Sequence, residues 1–88
     1  MSAGPRSRAQ RRRDTEHRLT NDIDLWVASA SADDAPYLVP LSFDWDGEAL
    51  LVATPYRWFR ISPRRIQAWR EVNELSGREL MRDGRWLV

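Results

Sequence analysis

The residue types that most often carry out catalysis or bind metals are scarce in this sequence. His17 is the only histidine, and the chain has no cysteine. A Cys/His metal cluster needs several such ligands, so the composition predicts no metal site of that type. As a general base, His17 would need a nucleophile within hydrogen-bond reach, and no recognisable motif places a serine beside it. The sequence therefore identifies no catalytic residue.

Arginine is the abundant functional group, and its densest cluster is residues 11–13. Guanidinium groups bind nucleic-acid phosphates through charge and counterion release. Alternatively, the cluster belongs to a solvated tail with local ion pairs, in which Arg12 can pair with Glu16, and Asp14 with Arg18, four residues away. We favour the solvated tail, because acids follow the cluster at once and no aromatic side chain is interleaved for base stacking. No nucleic-acid partner is expected.

Charge is divided along the chain, although the net charge is only +1. Residues 1–18 carry +4, residues 19–48 carry −7, and residues 49–88 again carry +4. A chain of 88 residues forms one domain at most, and it buries only about 60 to 65% of its unfolded surface. Because disulfides are absent, a partner subunit or a bound cofactor is the expected source of added stability.

The sequence predicts neither a secretory signal nor a membrane span. The basic first residues are not followed by an apolar run of about 7 to 15 residues, as a secretory signal would require. No stretch approaches the roughly 18 apolar residues of a transmembrane helix. We therefore expect a cytoplasmic protein.

Three short apolar runs with turn signals between them are the organising feature of the chain. They occupy residues 25–30, 36–43 and 49–54, and the Asp and Gly residues between them tolerate tight turns. The pattern predicts a three-stranded antiparallel meander. Upstream, residues 1–8 are expected to be disordered and residues 9–19 to form a short helix.

Two features of the predicted strands bear on what covers them. Both faces of the first strand are mostly apolar, with Val27 on one side and Trp26 on the other, so we expect it to be covered on both sides. In the second strand, Pro40 lacks an N–H group and cannot lie inside a fully paired central strand. It predicts a sheet edge or a β-bulge, and a bulge would expose backbone groups that a ligand can bind.

The carboxyl-terminal third is predicted to hold strands, a helix and a turn. Residues 56–61 and 64–70 alternate imperfectly and predict two arginine-rich strands. Their aromatic side chains favour core or subunit-interface positions, although the same pattern is compatible with an RNA-binding platform. Residues 71–82 predict a short amphipathic helix, and residues 83–84 and 85–88 predict a turn followed by a strand or a docked tail. The fold class is therefore mainly β with short helices (α+β).

Two blocks of the sequence resemble the pyridoxamine 5′-phosphate oxidase-like family of flavin-binding split barrels. The first block covers residues 24–47 and 50–55. The second covers residues 59–75 and 82–88 and is similar to the carboxyl end of actinobacterial members of that family. The resemblance implies a partial split β-barrel of the FMN-binding type, built from the antiparallel meander, the carboxyl-terminal strands and the helix.

The resemblance also implies a homodimer that binds FMN, or a related deazaflavin, in a cleft at the subunit interface. In the family, the second strand and the end of the third contact the flavin, and a Pro-x-x-Ile-x-x-Trp segment places a tryptophan near its isoalloxazine ring. The cofactor-binding residues implied for this sequence are Val39, Pro40, Leu41, Ser42, Ala53, Thr54 and Trp69. The implied organisation is a tail and helix over residues 1–19 and one shortened domain over residues 20–88, with amino-terminal strands up to residue 55 and a carboxyl-terminal block over residues 56–88.

The family's central segment, which binds the flavin phosphate, has no counterpart between Pro55 and Phe59. Apolar walls and amide donors for the ring are retained, whereas the phosphate is left to Arg57 or Arg60. We therefore interpret the chain as a shortened flavin-binding oxidoreductase of this family. A second hypothesis is a non-catalytic β-rich remnant that acts only by associating with itself or with an intact family member.

Overall fold

The computed structural model describes residues 4–88. The described residues form one helix and two open antiparallel sheets, which confirms a mainly β, α+β fold. The elements are α1 Arg8–Asn21, β1 Asp24–Ala30, β2 Pro36–Trp45, β3 Leu50–Ala53, β4 Trp58–Ile61, β5 Ile66–Gln67, a 3-10 turn at Val72–Glu74, β6 Glu79–Arg82 and β7 Arg85–Trp86. The first sheet has the order β1-β2-β3-β4, and the second has the order β5-β6-β7.

The predicted meander is confirmed, and β4 extends it by one strand. Val39 of β2 pairs with Val27 of β1, while Val52 of β3 pairs with Phe43 on one side and with Phe59 of β4 on the other. The sheet therefore continues past residue 55 to the end of β4. The strand predicted over residues 64–70 is limited to β5.

Pro40 lies at a sheet edge, as predicted, and not at a bulge. It pairs with Trp26 of β1, and β3 pairs with β2 only at the distal residues Phe43–Trp45. The N–H of Phe43 donates to the carbonyl of Ile23 at 2.9 Å, and antiparallel pairs alternate between bonded and non-bonded residues. The nitrogen of Pro40, which carries no hydrogen, therefore points away from β1, toward the side of β2 where no strand pairs with it.

Helix α1 begins at a side-chain cap. The hydroxyl of Ser7 accepts from the N–H of Gln10 at 3.0 Å, which satisfies one of the free amides of the first turn. The predicted pair of Arg12 and Glu16 is confirmed at 2.9 Å, whereas Asp14 pairs with Arg6 instead of Arg18. Arg11 is the buried residue of the helix. Polar contacts therefore hold α1 in place more than an apolar stripe does.

Glu74 fixes the segment before α1 to the carboxyl-terminal block. Its carboxylate accepts from the Arg6 side chain through Nε at 2.9 Å and Nη2 at 2.7 Å, and from the Arg6 and Arg70 backbone N–H groups at 2.9 Å each. Glu74 is 3% exposed. The disorder expected for residues 1–8 is therefore wrong at Arg6, because the buried carboxylate of Glu74 fixes the side chain and the amide of Arg6. The expectation for residues 1–3 lies outside the described residues.

The helix predicted over residues 71–82 is wrong. The segment forms a single 3-10 turn at Val72–Glu74, followed by strand β6. Val72 is exposed, so the helical spacing of apolar residues does not correspond to a buried face. Gly77 adopts φ +67°, a left-handed conformation, in a separate turn between the 3-10 turn and β6. The predicted turn at residues 83–84 and the strand after it are confirmed by β7.

The apolar core is small and has members on both sheets, which α1 contacts at β2 and at β6. Its buried members are Phe43, Ala49, Val52, Leu80 and Met81. The sheet extends well beyond this core, and Trp26, Leu38 and Trp58 are exposed on one of its faces. Within the single chain, β1 is therefore not covered on both faces, and cover by a second subunit stays a prediction. A strand with two apolar faces needs a packed layer on each face, and the small core covers only part of one face.

Among residues 4–88, no helix is long and apolar enough to cross a membrane.

Candidate functional site

An apolar groove lies on one face of the four-stranded sheet, and it is the candidate site. Side chains two apart along a strand share a face, so Val27, Val39 and Leu41 lie together. Val52 and Phe59 continue the same face on β3 and β4. The groove has a volume of about 410 Å³. Its lining residues are Val27, Ser29, Val39, Leu41, Val52, Thr54, Phe59, Arg60 and Ile61.

Three of the residues implied by the family resemblance line this groove, namely Val39, Leu41 and Thr54. Val39 and Leu41 contribute apolar wall. The hydroxyl of Thr54 instead belongs to the turn between β3 and β4, where it donates to the carbonyl of Arg57 at 3.0 Å and accepts from the Arg57 N–H at 3.1 Å. Thr54 therefore lines the groove with its hydroxyl oxygen already engaged by the backbone of the turn.

The other implied strand residues, Pro40, Ser42 and Ala53, do not line the groove. Pro40 and Ser42 alternate with Val39 and Leu41, so they lie on the opposite face of the sheet. The Ser42 hydroxyl donates to the carboxylate of Asp24 at 3.0 Å, which ties β2 to the start of β1. Ser42 and Ala53 line a separate shallow pocket of about 180 Å³.

Trp69 lies apart from both of these pockets. It lines a third pocket beside α1, together with Arg18, Leu19 and Arg70. The seven implied cofactor residues are thus not gathered into one site within the single chain, since six of them line three separate pockets and Pro40 lines none of these three. Val39 and Leu41 form part of the apolar groove wall.

Two arginines stand next to the groove, and they differ in availability. Arg60 donates to Asp46 at 2.6 Å and approaches Glu48 at 4.0 Å, so its charge is compensated. Arg57 places its guanidinium carbon 5.2 Å from the ring centroid of Phe59, which is a groove residue. Of the two arginines that the sequence analysis nominated for the phosphate, Arg57 is therefore the available one.

The acid that engages Arg60 is also a structural part of the β2–β3 turn. Asp46 accepts from the N–H of Ala49 at 2.7 Å, from Arg60, and from the N–H of Glu48 at 2.8 Å. These hydrogen bonds, of which the one from Ala49 has the largest effect, lower the pKa of Asp46 to about 2. Asp46 therefore stays ionised near neutral pH, and its ion pair compensates the charge of Arg60.

The groove meets two of the three requirements of a flavin. Its walls are apolar over an area suited to a flat ring, and its volume falls within the range of small-molecule sites. The N–H of Leu38 points toward the unpaired side of β2 by the same alternation as Pro40, so an amide donor is present at the edge. For the phosphate the described residues offer Arg57 alone.

Neither a metal centre nor a histidine-based site accompanies the groove. Within residues 4–88, no group of three or more His, Cys, Asp or Glu side chains could hold a metal ion. The Nδ1 atom of His17 lies 3.2 Å from the side-chain nitrogen of Asn21 on the exposed surface of α1, away from the groove.

The sequence analysis did not assign five of the groove residues to a site. All five share a face with Val39 once the strands are paired, and they are Val27, Ser29, Val52, Phe59 and Ile61. The two-residue alternation within β1 and β4 was the available signal. Alternation alone could not show that residues of different strands share a face, however, because that depends on the register between the strands.

No protein-family model matches this sequence, and no curated protein matches it.

Proposed function

We propose that this chain is a shortened flavin-binding member of the pyridoxamine 5′-phosphate oxidase-like split-barrel family. The groove holds the isoalloxazine ring of FMN or of a related deazaflavin. The observation that supports this most directly is the position of Val39 and Leu41, which line an apolar groove of about 410 Å³ on the sheet formed by the family-like block. The four-stranded sheet is then part of a split barrel that a second copy completes.

In this proposal the chain binds and orients the ring, while the cofactor, when bound, supplies hydride transfer. Val27, Val39, Leu41 and Phe59 exclude water from the ring. The Leu38 amide is a donor for its polar edge, and Arg57 is the cation for a phosphate. No residue of the groove is assigned a proton-transfer role. The absent phosphate-binding segment leads us to expect weak FMN binding and no efficient turnover.

We expect Val39→Asp to weaken FMN binding by about tenfold or more, because it places a charge in the apolar wall that the ring would contact. Isothermal titration of the purified chain with FMN measures the effect. Ala28→Asp is the matched control, since Ala28 is exposed, alternates with the groove residue Val27 on β1 and so lies on the other face of the same sheet.

Equal loss of affinity in the Val39 and Ala28 variants would place the flavin elsewhere. A wild-type chain that gains no thermal stability in excess FMN would remove the flavin proposal altogether, because a ligand that binds only the folded state must stabilise it.

We also expect Arg57→Gln to weaken FMN binding by about tenfold, while leaving riboflavin binding nearly unchanged, because a charge-assisted bond to phosphate is lost. Riboflavin has the same ring without the phosphate, so comparing the two ligands isolates that bond. Asp46→Asn is the complementary variant. It weakens the ion pair of Arg60 and should raise the affinity for FMN but not for riboflavin. Identical responses to both ligands would mean that neither arginine contacts the phosphate.

A second candidate function is association without catalysis, and the exposure of both faces of the sheet favours it. Trp26 and Trp58 are exposed on one face, and Val39, Phe59 and Ile61 are partly exposed on the other. A patch of large apolar side chains on both faces is typical of an interaction surface. Sedimentation of the flavin-free chain over a range of concentrations tests this role. Mass and thermal stability that rise with concentration support it, and a concentration-independent monomer contradicts it.

A further inference from the structure

The outer edge of β1 is not covered by any other element of residues 4–88. β1 is the terminal strand of the sheet order β1-β2-β3-β4, and β2 is the one element that contacts it. A strand edge presents a row of unpaired N–H and C=O groups, to which an extended chain can add as a further strand. β1 therefore offers a backbone docking edge that is seven residues long.

The register of β1 against β2 shows which backbone groups of this edge are free. The N–H of Phe43 donates to the carbonyl of Ile23 at 2.9 Å, and in an antiparallel pair every second residue turns its N–H and C=O toward the partner strand. The intervening residues of β1 turn these groups outward. They are Asp24, Trp26, Ala28 and Ala30.

The free edge of β2 is protected against strand addition, whereas the edge of β1 is not. On the side of β2 where β3 does not pair, the outward positions are Pro36, Leu38 and Pro40. The two prolines have no N–H to donate, and proline on an edge is one way in which native sheets prevent pairing. The outward positions of β1 include neither a proline nor a basic residue. β1 is therefore the edge that can accept a strand.

Acidic side chains stand at both ends of this edge. Asp22 and Asp24 lie at its start, and Asp33 and Asp34 lie in the turn that follows it. Asp22 is 3.7 Å from Arg18, whereas the other three form no salt bridge within residues 4–88. The two ends are about 20 to 24 Å apart along an extended strand. An extended chain with a basic residue at each end of a seven-residue segment matches this charge pattern.

A second copy of the chain does not match the edge. Antiparallel pairing of two β1 strands would bring the acids at the start of one strand against the acids after the end of the other, and like charges at facing positions repel. Among residues 4–88, the arginine-bearing strands have only two to four residues each, and the amino-terminal arginine cluster lies on α1. The occupant that the charges favour is therefore a separate chain.

We propose that the outer edge of β1 binds an extended segment of a partner protein that has alternating β-branched side chains and a basic residue at each end. The segment adds to the sheet as a fifth strand and bonds to the outward N–H and C=O groups of β1. Its β-branched side chains lie beside Trp26, which is 68% exposed, and aromatic with β-branched is a favourable cross-strand pair. The edge is separate from the groove, so the proposal does not depend on flavin binding.

The test uses a synthetic peptide, acetylated and amidated, of sequence Arg-Thr-Val-Thr-Val-Thr-Arg, with the full chain. Titration calorimetry measures its affinity, and amide hydrogen exchange followed by nuclear magnetic resonance locates its site. We expect exchange to slow by about tenfold or more at the outward amides of Trp26 and Ala28, with little change at Val27, which already faces β2. A peptide with glutamate in place of both arginines should bind at least tenfold more weakly.

Ala28→Pro is the variant that removes a donor from the edge. The N–H of Ala28 faces outward, so its loss breaks no bond between β1 and β2. We expect this variant to bind the peptide about tenfold or more weakly, and an unchanged melting temperature checks that it folds.

A charge variant tests the same edge without altering the strand. Asp33→Asn combined with Asp34→Asn should weaken peptide binding by about fivefold. Asp83→Asn is the matched control and should leave the affinity unchanged. Asp34 and Asp83 have φ +60° and +52°, a conformation that asparagine also tolerates, and Asp83 is an exposed acid outside the first sheet.

Three results would overturn the proposal. Equal effects of the Asp33/Asp34 and Asp83 variants, or binding without alternating protection along β1, would mean that the peptide is attracted only by overall charge. Outward amides that are already protected in the peptide-free chain, increasingly so at higher concentration, would mean that a second copy occupies the edge.

Discussion

Leu80→Ala is expected to lower the free energy of unfolding by about 2 to 5 kcal/mol, because it removes buried methyl groups and leaves a cavity. Leu80 is 0% exposed and is one of the two largest fully buried side chains of the described residues. A domain of this size has a total stability of only about 5 to 15 kcal/mol. The small core places this chain toward the lower end. Thermal denaturation followed by circular dichroism should show a much lower midpoint or a largely unfolded chain.

Two further variants test whether the loss of stability comes from the cavity at Leu80 or would follow any leucine substitution in this part of the chain. Leu80→Met conserves volume and should cost less than about 1.5 kcal/mol. Leu87→Ala truncates a leucine that is 40% exposed and should have a much smaller effect than Leu80→Ala. If Leu87→Ala were as damaging as Leu80→Ala, the core would be centred elsewhere than at β6.

The strands of the first sheet were predictable because their signals are local. Apolar runs separated by Asp and Gly residues correspond to β1, β2 and β3, and Pro40 correctly indicated an unpaired edge. The carboxyl-terminal block was not predictable in the same way. The spacing of Val72, Leu75 and Leu80 suits a helix, but only Leu80 is buried in the fold, within a central strand. The secondary structure of that segment was determined by tertiary contacts and not by the local spacing of its apolar residues.

The position of the candidate groove could be predicted only in part. Alternation assigned Val39 and Leu41 to one face, but the roles of the polar residues depend on contacts distant in sequence. Ser42 is engaged by Asp24, and Thr54 closes the turn that brings β4 directly after β3. The resemblance predicts a longer central segment at this place, whereas the structure has a short turn. Thr54, which the resemblance nominates for cofactor binding, has its hydroxyl engaged in that turn.

The ion pair of Arg6 and Glu74 could not be predicted from the sequence either. The two residues are separated by 68 residues, and neither belongs to a motif. Their pairing explains why the amino-terminal segment is ordered. The basic composition of residues 1–18, which suggested a solvated tail, serves in part to attach α1 to the rest of the chain.

We expect Glu74→Gln to lower the melting temperature by roughly 10 °C or more, because it removes one partner of a nearly buried ion pair. The Glu74 carboxylate accepts two side-chain bonds from Arg6 and two backbone N–H bonds. An amide cannot accept all four, and its NH2 group faces donors. Glu71→Gln is the matched control, since Glu71 is an exposed glutamate three residues away and should change little. A double-mutant cycle with Arg6→Gln measures the coupling between the two side chains.

The same pair should make stability depend on pH in the acid range. Hydrogen bonds from the Arg6 side chain hold the pKa of Glu74 far below its usual value in the folded chain. The unfolded chain therefore binds this proton more readily, and the stabilisation is fully present above the unfolded carboxyl pKa of about 4.3. It is lost progressively as the pH falls through that value toward the folded pKa. Melting curves between neutral and acid pH should show this loss, and Glu74→Gln should reduce its slope while leaving the part due to Asp46. An equally steep acid decline in the Glu74→Gln variant would assign the pH dependence to other carboxylates.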